Sequence, residues 1–198
     1  MQRSLFDAGE MLLADDERGR ISYAPAFIDA ETAAAWFAEI RASVKWRAER
    51  RLMYDREVDV PRLVGHFRLD APQEPLPQAI LDAASRVIQR VGEPFNSVGL
   101  NLYRDGRDSV APHNDHLNEI RRGHSIALVS LGATRRMSIR AKEPPRRTMN
   151  IDLEPGSLFV MSYATQIHYT HGVPKTPDAV GERISLAFRV KSREEQVL

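Results

Sequence analysis

From Ser97 to Val190 the chain alternates short β-branched or aromatic segments with turns rich in Gly, Pro, Asp and Asn. The segments are "SVGLNLY", "SIALVSLG", "RRMSIRA", "TMNIDL", "SLFVMSY", "IHYTHG" and "RISLAFRV". Runs of this length at regular spacing predict strands of an antiparallel barrel or jelly roll. Earlier in the chain the period is helical. In "DAETAAAWFAEIRASV", Ala33, Trp36, Phe37 and Ile40 share one face, and Asp29 is placed to cap the first turn. In "PLPQAILDAASRVIQRVG" a second stripe runs through Ile80, Leu81, Ala84, Val87, Ile88 and Val91. Pro77 lies near the start of that helix and Gly92 just past its end, the usual asymmetry. The expected fold is α+β, mainly β: a double-stranded β-helix (jelly roll) braced by N-terminal helices. Residues 1–28 read as a loosely structured extension carrying short strands such as "RISYAPAFI". "RLDAPQEPLP" and "KEPPRR" read as loops inside one domain, 1–198, with its core at about 61–190.

Composition narrows the class. A chain of 198 residues, 42% hydrophobic and 28% charged, suits one well-packed globular core. No run approaches the length of a membrane span, and the first twenty residues lack the pattern of a signal or transit peptide. Without cysteine there are no disulfides and no thiolate metal site, so a cytoplasmic setting is the default expectation. A net charge of +1 excludes a polycation, but the basic residues cluster. One group is Arg47, Arg50 and Arg51; another is Arg121 and Arg122; a third runs through Arg135, Arg136, Arg140, Lys142, Arg146 and Arg147. Such patches can hold a phosphate backbone, or be solvated arginines on loop tips and strand faces.

The candidate chemistry begins with "NLYRDGRDSVAPHNDHL", where His113 and Asp115 stand two apart. An H-x-D pair by itself is common by chance. On extended chain both side chains would point the same way. His171, in "IHYTHGVPKT", lies several strands later, where a jelly roll can return it to the same wall. Two imidazoles and one carboxylate form a facial triad with open positions, which suits Fe(II) that must bind a co-substrate and dioxygen. A zinc hydrolase would more often keep a single water position. "RISLAFR" places Arg183 and Arg189 six apart on the last core strand, so both share one face. Facing inward they would need an anionic partner such as a dicarboxylate, which planar guanidinium groups grip well. Facing outward, or with Glu182 paired to Arg183, they would need none.

Taken together, "NLYRDGRDSVAPHND", "SLGATRRMSI", "LEPGSLFVMS" and "HGVPK...RISLAFR" resemble the AlkB family of Fe(II)/2-oxoglutarate-dependent dioxygenases, from about Pro61 to Val190. The resemblance implies that His113, Asp115 and His171 are the iron ligands. It implies that Asn101 and Tyr103 hydrogen-bond 2-oxoglutarate and that Arg183 and Arg189 bind its carboxylates. Ser185 stands where the family often has Asn, inside the same co-substrate set. The liganding imidazole is the one before the "xxP" turn, which separates His171 from its neighbour His168. His116 and His124 read as loop residues near the rim. Arg50, Arg51, Arg62, His66 and Phe67 are expected on the substrate side, with Leu117 where many members carry an acidic residue that reads the base. Ala187 replaces a usual Thr, and the lid after "PRL" is short.

The activity implied is oxidative dealkylation of N-alkylated DNA or RNA bases, using Fe(II), 2-oxoglutarate and O2 and releasing succinate, CO2 and formaldehyde. A base in a duplex would have to be flipped out, or the strand be single. The expected partner is alkylated single-stranded nucleic acid, with no membrane, and the expected state is a monomer. Leu117 and the short lid leave a protein side chain or small molecule as an alternative substrate. A non-catalytic nucleic-acid-binding barrel is the third possibility, although it would have no use for the ligand set or both arginines.

Overall fold

A computed structural model describes residues 9–53, 56–115 and 117–192, and the side chains among these except at 50–53 and 56–59. In chain order the elements are β1 (Met11–Asp16), β2 (Gly19–Ala24), α1 (Ala30–Ser43), β3 (Arg47–Met53), β4 (Arg56–Arg68) and α2 (Gln78–Val91). Then follow β5 (Ser97–Tyr103), β6 (Val110–His113), β7 (Ile126–Gly132), β8 (Arg135–Ala141), β9 (Thr148–Leu153) and β10 (Leu158–Met161). The chain continues through α3 (Tyr163–His168), β11 (Tyr169–Val173) and β12 (Arg183–Arg189). Among the described residues twelve strands form two antiparallel sheets: an eight-stranded sheet in the order β1-β2-β10-β7-β12-β5-β4-β3 and a four-stranded sheet in the order β6-β11-β8-β9.

Two cores follow from the pleat. On β12, Ile184, Leu186 and Phe188 face the helices, and on β5 Val98, Leu100 and Leu102 do the same. Trp36 and Ile40 of α1 and Ile80 and Val87 of α2 cover them, the brace the helical stripes predict. The stripe on α2 is rotated slightly from expectation. Ala79 and Ala83 are buried, whereas Leu81 and Ile88 are exposed, because the sheet takes the flatter small-residue side. The second core fills the space between the sheets with Met137, Ile139, Leu153, Phe159 and Tyr169.

Local chemistry sets the helix ends. Asp29 accepts from the Thr32 backbone N–H at 2.8 Å, satisfying one orphan donor of α1, worth about 1 kcal/mol. Gly92 ends α2 in the left-handed region at φ 77°.

Three expectations need correction. Met11–Ala24 is not a loose arm: the strand expected in "RISYAPAFI" is β2, which pairs along β10, and β1 forms the edge of the large sheet beyond it. Residues 1–8 lie outside the described set. The segment after "PRL" is not a short lid loop, because β4 runs to Arg68 and pairs with both β3 and β5. The stretch "SLFVMSY…IHYTHG" is not two simple strands, since α3 intervenes and His168 ends it. Among the described residues no helix is long and apolar enough to cross a membrane.

Candidate active site

The site lies between the sheets, on the faces of β4, β5 and β12 turned away from the helices. There β12 presents Arg183, Ser185, Ala187 and Arg189, and β5 presents Gly99, Asn101 and Tyr103. The residues enclose a cavity of about 570 Å³, which also holds His113, Asp115 and His171.

The three candidate ligands come from opposite ends of the small sheet's connectivity. His113 ends β6, and His171 on β11 stands directly across from it in the antiparallel ladder. Their ring centroids are 4.5 Å apart. Asp115 follows β6 by two residues, and each of the three offers a ligand atom within 4.8 Å of the others. His113 Nδ1 lies 3.0 Å from the Ala111 carbonyl oxygen, which can only accept. Nδ1 therefore carries the proton, and Nε2 presents its lone pair toward the Asp115 side, 3.9 Å from Oδ1.

Electrostatics keep this set in its metal-ready form. Burial pushes His171 down to about 4, helped by His113 beside it and opposed by Asp115. Burial also lowers His113. For Asp115, burial raises the pKa, but the Arg189 guanidinium outweighs it and holds the carboxyl below its ordinary value. Arg189 Nε donates to Asp115 Oδ2 at 2.7 Å. Gly99 makes room for this arginine, since a Cβ there would come within 3.1 Å of Arg189 Nη1. At neutral pH the cluster thus offers two neutral imidazoles and one carboxylate, the donor set that suits a divalent iron.

Arg183 is 1% exposed. Its Nη2 donates to Ser130 Oγ at 2.9 Å, and its guanidinium lies 5.1 Å from the Tyr103 ring centre. Nε and Nη1 have no hydrogen-bond partner in the protein. A buried guanidinium with two orphan nitrogens is costly unless an anion completes it. Burial, with Arg135 nearby, lowers its pKa. Glu182 does not neutralise it, because that carboxylate is taken by Arg41 at 2.9 and 3.0 Å. An acid entering the cavity could complete the Arg183 guanidinium.

The substrate-side candidates separate. Arg62 and His66 line the cavity, on the same pleat face as Val64. Arg62 Nε donates to Asn101 Oδ1 at 2.6 Å, and His66 Nε2 lies 3.1 Å from Ser97 Oγ. Phe67, one residue on along β4, points to the opposite face and packs in the helix-side core. Leu117 lies in an exposed turn outside the cavity lining, whereas Glu119 and Ile120 belong to that lining. His124 is a loop residue but pairs with Glu93 at 2.6 Å, away from the cavity lining. His168 also stays out of the cavity, its Nδ1 4.0 Å from Glu143. His116, and the side chains of Arg50 and Arg51, lie outside the described residues.

Sequence reasoning missed two neighbours. Arg135, grouped above with a surface basic cluster, is buried and donates to the carbonyls of Asp105, Asp108 and Pro174. Its place in "RRMSIRA", on the same parity as Met137 and Ile139, carried that signal. Lys191, 3.5 Å from Glu119, flanks the mouth just past the end of β12. Nothing in the sequence pattern marked that pair.

Comparison with known proteins agrees with this geometry. The profile of the 2OG-Fe(II) oxygenase superfamily matches residues 20–189, and the chain belongs to that superfamily. Within it the chain is homologous to AlkB homologs. It is 31% identical over 188 residues to the Bos taurus alpha-ketoglutarate-dependent dioxygenase alkB homolog 3, covering 86% of this chain. The chain spans 65% of that relative's length. To the Homo sapiens DNA oxidative demethylase ALKBH2 it is 35% identical over 125 residues, covering 60% of this chain and 47% of that protein. A Pseudomonas putida prolyl-4-hydroxylase shares the fold at TM-score 0.55 and 19% identity, with 87% of this chain and 93% of the other covered.

Proposed function

We propose that this protein is an Fe(II)/2-oxoglutarate-dependent dioxygenase that oxidatively dealkylates N-alkylated bases in DNA or RNA. The observation that carries the dioxygenase reading is Arg183, a buried guanidinium with two unpartnered nitrogens that lines the same cavity as the His-Asp-His cluster. A barrel that only bound nucleic acid would have no use for the His-Asp-His cluster beside that charge. The base-directed part is supported by the two sets of relatives, one of which is named a DNA oxidative demethylase.

In this reading His113, Asp115 and His171 hold the iron. Arg183 and Arg189, with Asn101, Tyr103 and Ser185, hold the keto diacid. Iron held there, with 2-oxoglutarate and O2, would supply the chemistry that converts a C–H bond to C–OH while the acid is converted to succinate and CO2. Placed on an N-methyl group, the hydroxyl lets the C–N bond break, releasing formaldehyde and the unmodified base.

The protein's own contribution is geometric and electrostatic. Arg189 neutralises Asp115 and fixes which oxygen stays free. Arg62 fixes the Asn101 carbonyl and so aims the amide N–H groups of Asn101. The apolar wall of Val60, Val64 and Ile120 limits water above the metal ligands. Glu119 and Lys191 give the mouth one charge of each sign.

Succinate and formaldehyde release from methylated single-stranded oligonucleotides tests the proposal, with product expected from at least one base. Succinate formation with no formaldehyde from any methylated base would leave the dioxygenase and remove the nucleic-acid substrate. The second reading, a protein side chain or small molecule, would then stand. One observation favours it: with Phe67 turned into the core, His66 is the one aromatic ring that β4 offers to the cavity among the described residues.

A further inference from the structure

Asp115 lies beyond the end of β6, so no strand partner takes its backbone N–H. The group is nonetheless satisfied. Gln166 Oε1 accepts from it at 2.9 Å, from a side chain that is 1% exposed. The amide is oriented from the other side, since Nε2 donates to Thr165 Oγ1 at 3.3 Å and lies 3.8 Å from Met161 Sδ. An Oε1 acceptor with its donor end fixed can meet only a donor, and the amide flip is thereby excluded.

The helix that carries Gln166 is itself held from below. Ser162 and Arg20 exchange two hydrogen bonds at 2.9 Å, which ties the start of α3 to β2. Thr165 closes the first turn on Ser162, through its N–H at 3.1 Å and its hydroxyl at 2.6 Å. Gly19, at φ 120°, lets the hairpin turn sit against this helix. A Cβ there would fall 2.7 Å from both Ser162 Oγ and Thr165 Cγ2. On the far side Lys142 Nζ donates to the Gln166 carbonyl at 2.9 Å. α3 also leads directly into β11, which carries His171.

We propose that Gln166 is a positioning residue for the metal site: it clamps the Asp115 loop onto the helix that precedes His171, so that carboxylate and imidazole keep one separation. The proposal rests on reading His113, Asp115 and His171 as the metal ligands. Two points fix Asp115, Arg189 at its carboxylate and Gln166 at its backbone. A neutral amide suits the second point, because a charged acceptor there would sit buried beside Asp115. The N-terminal hairpin thereby becomes part of the support of the metal ligands.

The test is calorimetric titration of the metal-free protein with Mn(II), a divalent stand-in that needs no turnover, alongside thermal unfolding. Gln166→Met removes the acceptor at similar volume and is expected to weaken Mn(II) binding about ten- to a hundredfold, the usual cost of losing an outer partner of a ligand. Gln166→Glu keeps the acceptor and is expected to bind Mn(II) at least as tightly as the natural protein. Its metal-free melting temperature should nevertheless be the lowest of the three, because it buries a charge. Should Gln166→Met not fold, Gln166→Asn, which withdraws the acceptor by one methylene, is expected to show the same loss. Mn(II) affinity within twofold of the natural protein in the acceptor-less variant overturns the positioning role. So do affinities that simply follow the melting temperatures. Failure of the natural protein to bind Mn(II) is a different result, which overturns the ligand assignment itself.

Discussion

Arg189 and Asp115, seventy-four positions apart, share a 2.7 Å charge-assisted hydrogen bond inside the cavity. The bond ties the last strand of the large sheet to the loop after β6 of the small one. Both side chains are mostly buried, at 21% and 8% exposure, so the interaction is not dissipated by solvent. A hydrogen bond of this kind contributes about 1.5–3 kcal/mol. Arg189→Met frees the carboxylate to turn and removes the charge that keeps it ionised. Mn(II) affinity is expected to fall about tenfold or more, and 2-oxoglutarate binding with it. Titration with each in turn checks this, and unchanged affinity for both would contradict the role.

Removal of a candidate ligand should abolish turnover without unfolding the chain. In His171→Ala two protein donors remain, too few to hold iron during a cycle. Succinate release is expected to drop to background while the circular dichroism spectrum is retained. Residual turnover near the natural rate would place the metal elsewhere.

Arg183 gives a crossed prediction. Its orphan N–H groups destabilise the protein without ligand, so Arg183→Met is expected to raise ligand-free stability by about 1–2 kcal/mol. The same variant should lose its response to 2-oxoglutarate, which at a hundredfold excess over Kd would stabilise the natural protein by about 2.7 kcal/mol. Urea unfolding with and without the acid measures both. A variant that is less stable and still responds would refute the anion assignment.

Neighbouring residues on β4 should behave oppositely. Phe67→Ala opens a hole in the helix-side core and is expected to cost about 3 kcal/mol of stability. Its effect on KM for substrate should be slight. His66→Ala, which trims a cavity-lining ring, should leave stability within about 0.5 kcal/mol and change KM. Denaturation curves and steady-state kinetics on the pair decide it.

The Glu93–His124 pair predicts an acid limb. Burial raises the Glu93 pKa, but hydrogen bonds from His124 and Ser125 outweigh it and leave it below the ordinary 4.5. As pH falls the unfolded chain then takes up its proton first. The stability this group confers is full above that value and is lost as pH falls through the lower folded one. Glu93→Gln is expected to cost about 1 kcal/mol at neutral pH and progressively less toward about pH 3. Denaturant midpoints across that range test the convergence. A gap independent of pH would show that Glu93 acts by packing alone.

Periodicity was enough for the helices and for most of the strands. Trp36, Ile40, Ile80 and Val87 are buried where a 3.6-residue stripe puts them, and "RISLAFR" splits into a helix-facing and a cavity-facing set as a pleat requires. Where it failed, pairing partners decided. β1 was not marked by its own pattern and is secured by its ladder with β2. β3 begins with a polar run, Arg47 to Arg51 interrupted only by Ala48, and is defined by its ladder with β4. The six-residue α3 is too short for its period to show.

At the site the same division holds. The residue types at 113, 115, 171, 183 and 189 were legible, because two imidazoles, a carboxylate and two arginines of one strand parity are chemically conspicuous. Their meeting was not. His113 faces His171 because β6 and β11 are ladder neighbours, a fact of sheet order that no local pattern contains. Nor could the sequence say that Phe67 turns inward, that Leu117 stays outside, or that Gln166 reaches Asp115. The sequence by itself determined which elements form and which chemical groups are available, since propensity and periodicity act between near neighbours. Tertiary structure alone decided which groups meet, since hydrogen bonds and desolvation between distant residues depend on strand order and on the side of the sheet each side chain takes.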